Sequence, residues 1–234
     1  MILIGRLLNF FIPVIYLVSV LVLQLQPSYI FISILVVVGL ILVQVWLMAK
    51  RTLLSTTTSG WWLLLKELLS IWILIGVSYS FLVFMPFGWE YFAIVVVFSF
   101  LLYGLLRESF SRFHPALIRS MGNSPEARLM YFIVVSFFIV SAAYNFILFL
   151  TWSLPLTLSL VIVLLLLILL TQQDSQQQVW LRGWGLVAVL TTAELFLILY
   201  YLPIDIYLKA MIIALNELVL IEFIFKKNNF KLYG

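Results

Sequence analysis

Four ionisable side chains near the C-terminus have the types and spacing to do chemistry in an apolar environment. They are Glu194, Asp205, Lys209 and Glu217. Carboxylates inside membrane segments are typical of proton relays and ion pathways, and they usually pair with a basic residue or face water. We therefore expect Glu194 and Glu217, together with the amide of Asn216, to be binding or ion-coupling residues.

Lys209 is spaced to form ion pairs with two of these carboxylates. Asp205 precedes it by four residues, which is the favourable order for an ion pair on one helix. Glu194 lies nine residues before Pro203 and Lys209 six residues after it, at depths of about 13 Å and about 9 Å below this turn. A lysine side chain can bridge that difference in an antiparallel hairpin. The sequence thus predicts a structural ion pair joining Asp205, Lys209 and Glu194.

Glu217 has no such partner in the sequence. It lies about 21 Å below Pro203, which is too deep for Lys209 to reach. An ionised side chain at the centre of a membrane helix costs at least about 2.5–3.5 kcal/mol, so it must be protonated, paired or turned towards protein or water. We expect Glu217 to be protonated or hydrogen-bonded to a neighbour such as Asn216, and it is our first choice for a functional site.

Small residues on the two C-terminal segments predict that their helices pack closely. These residues are Gly185, Ala188, Thr192, Ala210 and Ala214. Side chains of this size let helix backbones approach each other within a membrane. The C-terminal hairpin is therefore expected to be the most polar and the most closely packed part of the protein.

The composition places all of these residues in an integral membrane protein. Of 234 residues, 65% are hydrophobic and 9% are charged, and the mean hydropathy is +1.23. Soluble domains carry about 25% charged residues. Continuous apolar runs of about 20 residues predict membrane helices, and not the alternating strands of a barrel. The sequence predicts an all-α bundle of about eight spans, at 7–25, 29–49, 61–85, 91–106, 129–150, 154–171, 184–202 and 204–225.

The basic residues predict the orientation of these spans. With eight spans, twelve of the thirteen lysines and arginines fall on the side that holds both termini, and only Lys209 falls on the other. Basic residues in short loops mark the cytoplasmic face. Both termini are therefore predicted to be cytoplasmic. The twelve residues are Arg6, Lys50, Arg51, Lys66, Arg107, Arg112, Arg119, Arg128, Arg182, Lys226, Lys227 and Lys231.

The spans are predicted to form a single integral-membrane domain, 1–234, because the loops are too short to hold another. Within it, 1–106 and 129–234 are candidate four-span halves joined by a cytoplasmic loop, 107–128. A proline lies in each of the four short turns on the opposite face, where it can end or begin a helix without losing a backbone hydrogen bond.

Several chemistries find no support in the sequence. The chain has no cysteine, so disulfides and thiolate ligands are excluded. It has no glycine-rich phosphate loop, and its one histidine, His114, lies in a basic loop without companions for a metal site or a catalytic triad. We expect no cofactor, no bound metal, no nucleic-acid partner and no catalytic residue.

Three classes of function remain open. The first is a non-catalytic membrane subunit or scaffold of a larger assembly, in contact with lipids and with other membrane chains. The second is a small permease or ion-coupled transporter that uses Glu194 and Glu217. The third is a lipid-modifying membrane enzyme, which requires a polar cluster at the inner face that the sequence does not reveal.

Overall fold

Helices are the only regular secondary structure in the residues that the structure describes. The computed structural model describes residues 2–52, 58–113, 125–172 and 178–232. These contain eight α-helices, one short 3-10 helix at Pro27–Tyr29 and no strand. The helices are α1 Ile2–Leu25, α2 Ile30–Thr52, α3 Thr58–Leu82, α4 Trp89–Phe113, α5 Pro125–Leu150, α6 Leu154–Gln172, α7 Gln178–Tyr200 and α8 Ile206–Leu232. The prediction of an all-helical fold is confirmed for this part of the chain.

Four of the described helices contain segments long and apolar enough to cross a membrane. These segments are Leu64–Leu82, Trp89–Phe110, Tyr131–Leu150 and Leu154–Thr171. Three shorter apolar segments, Leu7–Val22, Phe31–Trp46 and Leu186–Tyr200, accompany them in the described residues. A helix needs about 20 apolar residues to span the hydrocarbon. The chain is therefore a membrane protein.

The helices divide into two compact units. Unit 1 is Met1–Ser124 and contains α1 to α4, and unit 2 is Pro125–Gly234 and contains α5 to α8. In unit 1, α1 packs against α2 and α4, while α3 packs against α2 and α4. In unit 2, α5 packs against α6 and α8, while α7 packs against α6 and α8. Each unit is thus a closed ring in which the first and last helices are neighbours.

The loop predicted at 107–128 is shorter than expected. Helix α4 continues to Phe113, and α5 begins at Pro125, whose fixed φ suits the first position of a helix. The predicted boundaries followed the arginines, but long basic side chains can leave the hydrocarbon while their backbone remains helical. Residues 114–124 lie outside the described residues.

The turn between α5 and α6 is tight and contains an unusual backbone conformation. Only residues 151–153 separate the two helices, and Thr151 has a φ of 52°. The Trp152 N–H donates to the Phe146 carbonyl at 3.3 Å, and the two rings lie 4.9 Å apart. A positive φ is costly for a β-branched residue. The hydrogen bond and ring contact hold the reversal at Thr151.

A hydroxyl cluster joins the helices of unit 1 at the end where α1 and α3 finish. The Tyr79 hydroxyl of α3 lies 3.0 Å from Ser19 Oγ of α1 and 3.3 Å from Ser33 Oγ of α2. The Tyr91 hydroxyl of α4 donates to the Val20 carbonyl of α1 at 3.1 Å. All four helices therefore take part in side-chain hydrogen bonds at one level.

Two further polar contacts lie towards the end of unit 1 that is opposite the hydroxyl cluster. Gln44 Nε2 of α2 donates to Asn9 Oδ1 of α1, and both side chains are buried. Ser109 Oγ of α4 donates to Glu67 Oε2 of α3 at 2.6 Å. Each pair connects neighbouring helices, so the polar residues of unit 1 help to fix how its helices are rotated about their axes.

We expect Tyr79→Phe to destabilise unit 1 by about 1 kcal/mol, because hydrogen bonds between membrane helices average about 0.6 kcal/mol and the change removes two. The measurement is the free energy of unfolding in mixed micelles. Tyr29→Phe, at an exposed position in the same unit, is the matched control. Equal effects of the two substitutions would contradict the structural role of the cluster.

Candidate functional site

The turn between α7 and α8 is organised by Asp205. Its Oδ1 accepts hydrogen bonds from the Tyr207 and Leu208 backbone N–H groups, at 2.8 Å and 3.4 Å. Aspartate is favoured in this N-cap position because the first N–H groups of a helix have no partner within it. Asp205 therefore begins α8, and its carboxylate is occupied by the backbone instead of by Lys209.

Lys209 is buried among aromatic side chains of unit 2. It is only 8% exposed, and its Nζ donates to the Tyr200 carbonyl at 3.3 Å. Nζ also lies 5.3 Å from the centre of the Tyr144 ring, which is within the range of a cation–π interaction. Tyr200 is the last residue of α7, where the helix dipole favours a positive charge.

Tyr144 holds this arrangement together from α5. Its ring stacks on Phe196 of α7 with a centroid separation of 4.3 Å, and its hydroxyl donates to the Phe196 carbonyl at 2.8 Å. One tyrosine thus contacts both α7 and the lysine of α8. We refer to Lys209, Tyr144, Phe196 and Tyr200 as the lysine–aromatic cluster.

Glu194 does not belong to this cluster. Its side chain is exposed on α7, whereas Thr192 and Phe196, two residues to either side, are buried. In the described part of unit 2, Lys209 forms no ion pair with Glu194 or with Asp205. The expected three-residue ion pair is thus replaced by the lysine–aromatic cluster, because helical rise fixes the depth of Glu194 but leaves open the direction in which it points.

Glu217 is fully buried where α8 faces α5 and α7. Thr192 Oγ1 of α7 donates to Glu217 Oε1 at 2.9 Å. Ser136 of α5 faces the same carboxyl group and is itself fully buried. Glu217 Oε2 and Ser136 Oγ have no hydrogen-bond partner among the described residues. Of the two oxygens of the carboxyl group, one therefore has a hydrogen-bond partner in the described residues and the other has none.

Asn216 is not the partner of Glu217. Its side chain is only partly buried, and its Nδ2 lacks a hydrogen-bond partner within the described residues. Adjacent residues of a helix point about 100° apart, so Asn216 faces away when Glu217 faces the interior. The hydrogen bond comes from Thr192, which the sequence had suggested only as a small packing residue. A functional role for Asn216 stays a prediction.

Four of the five predicted small residues are buried, although α8 packs more extensively against α5 than against α7. Ala188, Thr192, Ala210 and Ala214 are all buried, and α7 packs directly against α8. Gly185 belongs to α7, but its burial is not among the described features. The helices approach closely enough for a threonine hydroxyl on one to meet a carboxylate on the other, as small interfacial residues permit.

Helix α5 supplies the residues that the sequence did not reveal as functional candidates. Ser136, Ser141 and Asn145 are buried, and each has a side-chain polar atom without a partner in the described residues. Ser136 and Ser141 interrupt an apolar run of α5, and Asn145 directly follows Tyr144. Their interior placement depends on the rotation of α5, which periodicity cannot predict when nearly the whole helix is buried.

These groups can hold protons and hydrogen bonds, and they do not resemble a metal centre. Within the described residues, no group of three histidine, cysteine or acidic side chains is placed to hold a metal ion. His114 lies outside the described residues. The chemistry available at Glu217 is that of a single carboxyl group between two hydroxyl groups.

We expect a double-mutant cycle to separate the contacts of Lys209. Lys209→Met with Tyr144→Leu should show a coupling of about 0.5–2 kcal/mol from the cation–π contact. Lys209→Met with Glu194→Gln should be additive within about 0.5 kcal/mol, because these side chains do not interact. The free energy of unfolding is measured for each variant. A larger coupling to Glu194 than to Tyr144 would restore the ion pair expected from the sequence.

Comparison with protein-family models, with curated proteins and with solved structures finds no match to this chain.

Proposed function

We propose that the protein is a non-catalytic membrane subunit that docks on another membrane chain through α7. The observation that carries this proposal is the position of Glu194 in an exposed apolar row. Leu186, Leu190 and Ile198 lie four or eight residues from Glu194, and each is more than half exposed. Residues four apart share a helix face, so one carboxylate lies in the middle of an otherwise hydrocarbon-like surface. We call these four residues the α7 stripe.

Hydrocarbon is a poor environment for this carboxylate. Glu194 lies six residues before Tyr200, or about 9 Å along the helix from its end. An ionised side chain at the centre of a membrane helix costs at least about 2.5–3.5 kcal/mol, and such residues usually face protein or water. A glutamate is too short to reach the headgroups from this depth. A protein partner that covers the α7 stripe removes the cost.

The chemistry of Glu194 indicates the partner. A membrane helix with a basic or hydrogen-bond-donating residue at the same depth would satisfy the carboxylate, while apolar residues would pack on either side of it. Among the described residues, the exposed apolar surface of α6 at Leu156, Val163 and Leu170 contains no charged side chain and is suited to lipid. The proposal therefore assigns docking to α7 and lipid contact to α6.

The proposed topology has eight spans with both termini in the cytoplasm. It is supported by the concentration of twelve basic residues on one side of this arrangement. Helices α1, α2, α7 and α8 would then complete the membrane crossings alongside the four long apolar segments. The α7 stripe would lie nearer to the outer face than to the cytoplasm.

The topology predicts which cysteines react in intact cells. The chain has no cysteine of its own, so single cysteines at Ser28 and Ser120 report the two faces independently. A membrane-impermeant thiol reagent should label position 28 in intact cells and position 120 only after permeabilisation. Labelling at 120 without labelling at 28 would overturn the orientation.

The docking proposal predicts site-specific cross-linking in native membranes. A photo-cross-linker on a cysteine at Leu190 should join the chain to one defined membrane protein, and Glu194→Leu should reduce this product strongly because the stripe no longer needs a partner. A cysteine at Val163 on α6 is the matched control and should give lipid adducts. Equal protein adducts from both positions would contradict docking through α7.

A transport function is the second candidate, and the buried carboxyl group of Glu217 favours it. Intramembrane carboxylates that face a helical bundle are typical of proton and cation pathways. The purified chain reconstituted in liposomes distinguishes the candidates. Flux of protons or a solute through the chain alone would replace the subunit proposal, whereas a subunit needs its partner.

A further inference from the structure

We propose that Glu217 is an exchangeable proton-binding site at the centre of unit 2. The proton resides on Oε2 and is donated to Ser136 Oγ, while Oε1 accepts the hydrogen bond from Thr192. This site depends neither on the docking of α7 nor on transport, since it requires only α5, α7 and α8.

The geometry gives each atom of the site one role. Thr192 Oγ1 donates a hydrogen bond to Oε1 at 2.9 Å, so Oε1 is the oxygen that acts as the carbonyl acceptor. Oε2 and Ser136 Oγ both lack a partner among the described residues, and both belong to fully buried side chains facing each other. The Ser136 hydroxyl can donate to a carboxylate or accept from a protonated carboxyl group. Because Glu217 is fully buried and meets only neutral hydroxyl groups in the described part of unit 2, we assign the protonated form, in which the carboxyl O–H donates to Ser136 Oγ.

The surroundings of Glu217 favour a proton over a metal cation. No second carboxylate faces it in the described part of unit 2, and two hydroxyls are too few to complete the oxygen shell that hard cations require. A proton needs one acceptor, which Ser136 provides. Neutralising the carboxyl group in this way also removes the cost of an isolated charge in a low-dielectric interior.

No other ionisable group on the described segments of α5, α7 and α8 replaces the proton. On the described segments of α5, α7 and α8 the other ionisable side chains are Tyr131, Tyr144, Glu194, Tyr200, Tyr207 and Lys209. None of them is a hydrogen-bond partner of Glu217 in these segments. Lys209 lies eight residues before Glu217, about 12 Å along α8, and is engaged by Tyr200 and Tyr144.

Other buried polar groups of α5 lie on different faces of the helix from Ser136. Ser141 Oγ and Asn145 Nδ2 of α5 have no partners among the described residues. They lie about 13 Å and about 7 Å from the end of α5, whereas Glu217 lies about 16 Å from the start of α8. Polar groups left without protein partners are where internal water binds. Ser141 and Asn145 follow Ser136 by five and nine residues, about 140° and about 180° around α5, so water bound to them does not lie on the face that meets Glu217. Exchange therefore requires water to reach Ser136 itself.

Infrared spectroscopy of the full chain in lipid nanodiscs near pH 7 tests the site. The wild-type protein should show a carboxylic-acid C=O band that is absent from Glu217→Gln, and transfer to D₂O should shift the band to lower frequency within minutes. Ser136→Ala should shift the band while retaining it, because the O–H loses its acceptor. Glu194→Gln, at an exposed position, should leave the Glu217 band in place.

Three results would overturn the proposal. A spectrum in which Glu217→Gln removes no acid band would mean that the carboxyl group is ionised. An acid band unchanged after a day in D₂O would mean that the proton does not exchange. Carboxylate bands that respond to sodium or potassium would mean a cation site. If Glu217→Gln does not fold, the wild-type exchange and the Ser136→Ala shift decide the question alone.

Discussion

The cost of leaving a polar group without a partner in hydrocarbon governs this structure. Water is absent from the bilayer interior, so each hydroxyl, amide or charge must bond to protein or carry a penalty of several kcal/mol. In unit 1 the Tyr79, Ser19 and Ser33 hydroxyls satisfy one another across three helices. In unit 2 the Tyr144 hydroxyl uses the Phe196 carbonyl of a neighbouring helix. These bonds add little stability individually, but they exclude helix rotations that would turn the same groups towards lipid.

The same constraint explains why three ionisable residues of the C-terminal hairpin have different environments. Lys209 has a long apolar stem and lies one turn inside α8, so its ammonium group reaches a carbonyl and an aromatic face. Asp205 lies at the helix boundary and is satisfied by backbone N–H groups. Glu194 has neither kind of contact in the described residues, because it lies well inside α7 and points away from the unit. The free-energy cost of placing the Glu194 carboxylate in hydrocarbon distinguishes the α7 stripe from an ordinary lipid-facing surface.

The sequence predicted how far along a helix a residue lies better than the direction in which its side chain points. Continuous apolar runs and proline turns located the helices, and the depths of Lys209 and Glu217 followed from helical rise. The predicted direction of the Glu194 side chain was wrong, since a helix that is apolar on nearly every face gives no periodic signal to orient it. The loop at 107–128 was overestimated for a related reason, because charge marks where side chains leave the membrane and not where a helix ends. Ser136 and Tyr144 were missed because a single polar residue in an apolar run has no partner until the neighbouring helix is placed.

Depth also separates Glu67 and Glu217, the glutamates that are buried in the described residues, and their chemistry. Glu67 lies fifteen residues before Leu82, about 22 Å from that end of α3, so in a hydrocarbon layer of about 30 Å it is close to the opposite boundary. Lys66 is its neighbour there, and Ser109 donates to it directly. Glu217 lies about 16 Å from the start of α8, near the middle of such a layer in the proposed topology. At the boundary, basic side chains and water can stabilise a carboxylate, whereas at the centre only a proton or a fully desolvated partner can do so. The two units therefore use the same residue type differently: Glu67 ties α3 to α4 by accepting a hydrogen bond from Ser109, and Glu217 is a carboxyl group that a proton can neutralise in the interior of unit 2.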